Sequence, residues 1–445
     1  MMKLFVLSAI LSLPWLATGS SSEGSRNVLA LSEWAQEQGI VMHSSLKFKE
    51  YKNADDDDEA SSNWGLELAE AVKPGTVLLQ VPRQLCLEAS ALRNEFEQTL
   101  GASKLQLALD ALGPEFAKLH EDNFWIVLKL FQLCRCQSND NSSSNNKWSP
   151  WIQAIPRAFT RFNKEEQECL PYYAKYAAEY QDQKFDAFCK AAAAMGELST
   201  QDNNIKDDDT QQLLWAFQAV GSRFWKTQPP ADSPAQPTSE LVPIGDMFNH
   251  REPPNVKIQS HQDGSVNFIY DGDEGEKDLY ITYGQSSNPH RFLVIFGFCP
   301  TAQFMPTMWS QLTYPDNPFS ADVANMVFQV NDNDDNESPV IIPRVIWDAV
   351  LYALDEPPKD APPPTYTVER HNRPHVKKYT RQVLEHHVAQ QLSELAACRE
   401  KIETMGSTTK NMELIRQHNA FVTGVFERVE KHLQETSGQD VLPTE

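Results

Sequence analysis

Leu241-Val242-Pro243-Ile244-Gly245-Asp246-Met247-Phe248-Asn249-His250 and Ile281-Thr282-Tyr283-Gly284-Gln285-Ser286-Ser287-Asn288, followed by Phe296-Gly297-Phe298, are the stretches on which the reading of this chain turns. Taken singly, their polar residues have plain structural readings. Asn249 reads as a buried turn residue and Tyr283 as a strand core residue, while Arg223, in the upstream pair Ser222-Arg223, reads as an ordinary helix-end charge. Several such residues in one fixed order call for a common cause, and the surrounding sequence has to supply the scaffold for it.

Working outward, strand signals at Val266 to Tyr270 and Leu279 to Tyr283 flank the turn-rich Asp271-Gly272-Asp273-Glu274-Gly275, which predicts a hairpin. Asn288 then predicts a helix cap with Pro289 at the first helical position, and Gly297 predicts the helix end. Toward the N-terminus, Val77 to Val81 reads as a short strand between the turn signal Pro74-Gly75 and Pro82. Ser32 to Gly39 reads as a short helix, and the acidic loop Asp55 to Glu59 leads into Asn63-Trp64-Gly65-Leu66.

From about Ala89 to Lys226 the pattern turns helical, with Phe124, Val127, Leu128 and Phe131 at i, i+3, i+4 and i+7. Asn163 with Glu166 predicts a reciprocal cap, and Ser138 to Asn146 a polar loop. A proline-containing linker runs around Pro229 to Pro237. The last third is helical again: Pro343 opens a helix ending before Pro357, and two apolar stripes follow. Leu384, Val388, Leu392 and Leu395 form one, and Val422, Val425, Phe426, Val429 and Leu433 the other; both read as core packing.

Bulk numbers set the class. At 445 residues the chain has room for about two or three structural units, and 41% hydrophobic with 22% charged residues is ordinary globular usage. A net charge of −22, from 39 basic and 61 acidic residues, repels nucleic acid and draws a basic protein segment; keeping the chain soluble accounts for the acidity equally well. Met1-Met2-Lys3, the apolar run Leu4 to Leu16 and Ala17-Thr18-Gly19 have the shape of a signal or targeting peptide over residues 1–22, and no later stretch is apolar enough to be a membrane span.

Seven cysteines without disulfide spacing read as mostly buried thiols, and the sequons at Asn141 and Asn336 suit a secretory route. No G-x-G-x-x-G, G-x-S-x-G or H-E-x-x-H occurs, which argues against a doubly wound methyltransferase, a serine hydrolase and a zinc protease. The calcium-like run at Asp332, Asp334 and Asn336 lacks the glycine and the terminal glutamate, and Cys134 with Cys136 and His386 with His387 lack partners for a metal.

In their order and spacing, the two opening strings resemble SET-domain protein lysine methyltransferases of the Rubisco large-subunit methyltransferase type. Trp64-Gly65-Leu66 before a short strand, Trp151-Ile152 with Ile155-Pro156, and Ser222-Arg223 support the likeness, which spans about Ser32 to Pro300. It implies an α+β chain: a SET-domain β-fold over 27–300 with an inserted helical subdomain at about 90–225, then a C-terminal helical substrate-binding domain over 301–445.

The activity implied is S-adenosyl-L-methionine-dependent protein-lysine N-methylation. The partner implied is a protein presenting a lysine in a basic segment, with no metal, no nucleic acid, no membrane span and a monomeric enzyme. By the same likeness the backbone around Trp64, Gly65 and Leu66 lines the cofactor, Asn249 and His250 hold its amino-acid and adenine portions, and Arg223 contacts it or its carboxylate. Asp246 lies near the incoming substrate, and Tyr283 stands at the methyl-transfer channel.

Two positions depart from the family pattern. Trp64 replaces a frequent arginine, with little expected effect because that loop works through backbone atoms. Phe296 replaces a second tyrosine, which leaves a roomier, drier channel expected to favour multiple methylation. Relatives act in nucleus, cytosol or plastid, so the leader reads as an address for the secretory pathway or for a plastid reached through it. Two rival readings stay open at this point: histidine methylation on the same fold, and a catalytically inactive module that binds basic peptides.

Overall fold

A computed structural model describes residues 28–51, 63–139, 147–156, 159–198, 200–201, 204–205, 207–227, 238–261, 263–283, 289–299, 307–309, 327–330, 340–341 and 374–436. Several sequence expectations lie outside these residues: the leader, the acidic loop, both sequons, the proline linker, the string Gly284 to Asn288 with its cap, and the helix opening at Pro343.

The strand expected at Val77–Val81 forms with those bounds and is central to a four-stranded antiparallel sheet. Val41–Met42 pairs on one side of it and Val266–Tyr270 on the other, and Val256–Ser260 forms the far edge. Leu79, Val81, Val266, Phe268 and Tyr270 bury one face of the sheet, and Leu78 and Asn267 are buried on the other, which is only partly solvated.

The hairpin expected between Val266–Tyr270 and Leu279–Tyr283 is not formed. Val266–Tyr270 turns back instead onto Val256–Ser260. The turn is Asp263-Gly264, where Gly264 takes φ +80° and the Asp263 carboxylate accepts from the Ser265 N–H and hydroxyl. The acidic stretch after Tyr270 is a loop held by buried Asn255, which donates to the Asp278 carbonyl and accepts from the Tyr280 N–H.

A separate ribbon joins Leu46–Tyr51 to Asn63–Leu68, with Lys49 opposite Gly65 and Glu50 opposite Trp64. A third small sheet joins Leu87–Glu88, Thr238–Leu241 and Trp225–Thr227. It ties together the two ends of the intervening helical excursion.

That excursion contains Ala89–Leu100, Ala102–Leu112, Pro114–Asn139, Tyr172–Ala194 and Asp207–Arg223. Gly101 and Gly113 take positive φ, so each helix stops and the next starts at once. The expected stripe Phe124, Val127, Leu128 and Phe131 is buried, with Phe188 and Phe217 edge-on to each other above it. Asn163 and Glu166 form the reciprocal cap. The unit is not all-helical, because short strands Thr200–Gln201 and Asn204–Ile205 interrupt it.

The helix read at Ser32 to Gly39 starts earlier, at Val28–Glu37. At the other end Pro374–Met405 and Lys410–Glu435 form a helical hairpin whose buried stripes include Leu384, Val388 and Leu395 against Val422, Val425, Phe426, Val429 and Leu433. Leu392 is only half-buried. The hairpin packs on Phe162, Cys169, Leu170 and Leu293, which joins it to the excursion and to the segment after Tyr283. The cysteines are free thiols: Cys134, Cys169 and Cys398 are buried, Cys86, Cys189 and Cys299 half-buried, and Cys136 exposed.

One glycine fixes how the sheet supports the segment leading to His250. A Cβ at Gly245 would overlap the ring of Phe268, which stacks on Phe248 at 5.0 Å and 16°. Gly245→Ala should therefore lower stability by about 1–3 kcal/mol through overpacking. Urea unfolding checks this, and an unchanged midpoint would contradict the packing.

Candidate active site

The two opening strings meet. Asn249–His250 and Tyr280–Ile281 pair in parallel, Asn249 opposite Tyr280 and His250 opposite Ile281. Parallel neighbours need a long crossover, and the residues between them supply it as the sheet-edge hairpin and the Asn255-pinned loop. Beyond the pair, the Tyr283 N–H donates to His250 Nδ1 at 3.1 Å, and the Tyr283 hydroxyl donates to the Phe248 carbonyl at 2.8 Å. The two rings stack at 5.2 Å. A neutral His250 accepting at Nδ1 carries its proton on Nε2, and burial lowers its pKa.

The turn before Asn249 is strained. Ile244 takes φ +69° and ψ −45°, a positive-φ conformation costing on the order of 1–3 kcal/mol for a branched residue. It persists because Gly245 abuts the Phe268 ring and because the Asp246 N–H is held by the Val242 carbonyl at 3.0 Å. The result points Asp246 inward. Its carboxylate is fully buried, with Arg223 Nε 3.5 Å from one oxygen and the Trp151 indole N–H 3.3 Å from the other.

Burial pushes the Asp246 carboxyl up to about 6 even though Arg223 and Trp151 oppose the shift. Arg223 ends the helix Asp207–Arg223, where the helix dipole favours a cation. Its guanidinium lies 5.7 Å from the Phe159 ring and donates to the Ser222 hydroxyl at 3.1 Å.

Trp64, Trp151, Ala154, Ile155, Arg223, Asp246 and Met247 line a narrow cleft. The Trp64 indole N–H has no acceptor among the described residues. Gly65 sits in the ribbon beside it, while the Leu66 side chain is buried in the core and its carbonyl accepts from the Leu279 N–H at 3.3 Å. Leu66 thus faces this region through the main chain at most. The Tyr283 phenol, pushed up to about 12 by burial, also responds to Arg223 and Asp246, so the cleft and the phenol share one electrostatic field.

An aromatic wall completes the arrangement. Phe296 lies 4.9 Å from the Tyr283 ring, and Phe292 and Phe298 lie 4.7 Å and 6.3 Å from His250. Pro289–Arg291 is α-helical, but Phe292–Phe296 widens into a π-helical turn that Gly297 closes at φ +74°. The widening turns both Phe292 and Phe296 toward the same neighbours.

The structure therefore brings together Trp64, Arg223, Asp246, Asn249, His250, Tyr283 and Phe296. Sequence reading missed Trp151 as the donor to Asp246, Phe159 beneath Arg223, and Phe292 and Phe298 in the wall. Phe298 was legible as the end of the quoted Phe-Gly-Phe. Trp151 to Asp246 is a contact between distant segments that no local pattern announces.

No family model matches the sequence, and no curated protein matches it. Solved structures do match in fold. The SET domain of LSMT bound to lysine and AdoHcy superposes with a TM-score of 0.55 at 14% identity, over 94% of this chain and 93% of that one. Rubisco LSMT bound to AdoMet gives 0.51 at 16% identity over 92% and 93%, and Rubisco LSMT bound to sinefungin and monomethyllysine gives 0.51 at 16% over 96% and 98%. The chain is thus a mixed α and β protein with the SET-domain fold, an inserted helical subdomain and a helical C-terminal region.

Proposed function

We propose that this chain transfers a methyl group from S-adenosyl-L-methionine to a lysine side chain of another protein. The observation that carries the reading is the meeting of His250 and Tyr283 beside the cleft of Trp64, Arg223 and Asp246. Proteins of the same fold have been solved with AdoMet, AdoHcy, sinefungin, lysine and monomethyllysine, which supports the choice of cofactor and target.

The residues present suit such a cofactor. Trp64 offers an indole N–H with no acceptor among the described residues, Arg223 offers a cation for a carboxylate, and Asn249 and His250 flank the same strand contact. When bound, S-adenosylmethionine supplies an activated methyl on a sulfonium. The chain's own task is alignment and exclusion of water, since an in-line displacement needs no side-chain nucleophile.

Tyr283 is built for alignment. Its hydroxyl hydrogen is committed to the Phe248 carbonyl, so its lone pairs are left to accept an amine N–H. A pKa pushed up to about 12 keeps the phenol neutral at working pH. The incoming lysine must be neutral as well, and bringing a pKa near 10.4 down to 7 corresponds to about 4.6 kcal/mol. Exclusion of water by the wall of Phe292, Phe296 and Phe298 disfavours the charged ammonium, against the smaller pull of the ring quadrupoles.

Incubating the purified chain with labelled cofactor and a cell extract tests the assignment. Tyr283→Phe should lower protein labelling by about ten- to a hundredfold, the worth of one hydrogen bond to a charged or reacting group. Calorimetric affinity for the cofactor should stay within about twofold. Labelling equal to that of the unaltered chain would sink the role.

Phe296→Tyr restores a hydroxyl beside Tyr283 and should shift the product from multiply to singly methylated lysine. Intact-mass measurement of the product reads this directly, and an unaltered chain that only monomethylates would refute it.

Asp246 gives a signed pH effect. Its folded value of about 6 lies above the ordinary carboxyl value of about 3.9, so the native state holds more protons between these values and stability falls as pH rises through that window. Relative to Asp246→Asn, the unaltered chain should lose on the order of 3 kcal/mol between pH 4 and pH 7. Urea unfolding of both at the two pH values measures it; parallel stability curves would contradict the burial.

A further inference from the structure

The outer face of the helix Tyr172–Ala194 carries a row of rings that core packing does not explain. Tyr172, Tyr176 and Tyr180 stand one helical turn apart, with 6.4 Å between successive ring centroids and planes inclined by 18° and 28°. Phe116 extends the row at 5.6 Å from Tyr180. Tyr172 and Tyr176 are 56% and 53% exposed, whereas the helix buries Tyr173, Ala174, Phe185 and Phe188 elsewhere. The row is pre-set: the Tyr180 hydroxyl lies 2.6 Å from His120 Nε2, and the Tyr172 N–H donates to the Glu394 carboxylate.

The surrounding field is negative. Burial, with Glu115 adding to it, pushes the Tyr180 phenol upward, and the hydrogen bond to Glu168, with Glu179 nearby, raises the pKa of Lys175. Lys175 and Lys401 share the single carboxylate Glu168, and Glu179 and Glu394 lie beside them. Exposed tyrosine rings set among carboxylates attract cations, through the carboxylate charge and through the ring quadrupole.

We propose that this ladder docks an extended, basic segment of a partner protein, with lysine or arginine at alternate positions. An extended chain rises about 3.3 Å per residue, so side chains on one face recur about every 6.6 Å. That repeat matches the 6.4 Å spacing of the rings. The net charge of −22 favours the same partner at longer range.

The ladder also lies near the wall of the candidate active site. Tyr173, next to Tyr172, has its ring 5.8 Å from that of His290, which precedes Arg291 and the turn bearing Phe292 and Phe296. The row therefore shares its helix with a buried contact to that wall, made from the buried side of the helix. That the docked segment serves as the flank of a methylated lysine rests on the transferase reading; the docking itself does not.

Fluorescence anisotropy of the full chain with a labelled peptide alternating lysine and threonine tests the surface, beside a peptide of equal composition whose lysines form one block. The alternating peptide should bind more tightly. Tyr172→Ala with Tyr176→Ala should weaken it by about five- to thirtyfold, while Tyr172→Phe with Tyr176→Phe, which keeps the rings, should stay within about twofold. Equal binding by the alanine variant, or no preference for the alternating peptide, would overturn the docking surface. Ring-dependent binding by a chain that calorimetry shows to take up no S-adenosylmethionine would uphold the surface and remove the transferase reading alone.

Discussion

The arrangement depends on a contact only two residues long: the parallel pairing of Asn249–His250 with Tyr280–Ile281. So short a ladder contributes little by itself, and it is reinforced from both ends. Tyr283 ties its N–H to His250 and its hydroxyl to Phe248, while Asn255 fixes the approach of the second strand. Phe248 in turn is stacked on Phe268 in the central sheet. The candidate site is therefore tied to the sheet through one aromatic stack and a few hydrogen bonds.

Unfavourable features gather at this contact. Ile244 takes a positive φ, and Asp246 is buried against one cation, one indole N–H and the backbone N–H groups of Ile244 and Asp246. Neither is needed to build a sheet. A buried ion pair of this kind is weak evidence for stability, because desolvation cancels most of the attraction, yet removing one partner leaves the other charge stranded. Strain and buried charge persist where a structure over-determines them, and here they coincide with the cleft that also holds Trp64 and Arg223.

Much of the fold was legible because it obeys simple periods. Val77–Val81, the cap at Asn163 and Glu166, the helix end at Gly297 and the stripes of the C-terminal hairpin all follow from alternation, capping chemistry or a 3.6-residue repeat. The hairpin was misplaced because Asp-Gly occurs at both Asp263-Gly264 and Asp271-Gly272, and only the first joins two paired strands. Strands of two or three residues, such as Leu87–Glu88 and Trp225–Thr227, are too short for any period to register. The candidate site was legible as an order of motifs, whereas its walls were not, because a π-helical turn and the Trp151 to Asp246 contact are set by tertiary packing.

The C-terminal hairpin belongs to the same mechanical unit as the site. His290 Nδ1 lies 3.0 Å from His418 Nε2, His418 Nδ1 meets the Asn419 side-chain Oδ1 at 3.0 Å, and the Asn419 side-chain amide donates to the Cys169 carbonyl. This buried relay fastens the hairpin to the residues that open into Phe292 and Phe296. Burial holds both imidazoles neutral, His418 at about 4 and His290 well below its usual range. The unfolded chain therefore binds more protons below pH 6.5, and this seat loosens as pH falls, opposite in sign to the effect of Asp246. Acid acts first on the packing between hairpin and wall, while the Asp246 carboxylate gains its proton without that penalty. The two buried groups set opposing pH limits on a single stretch of chain.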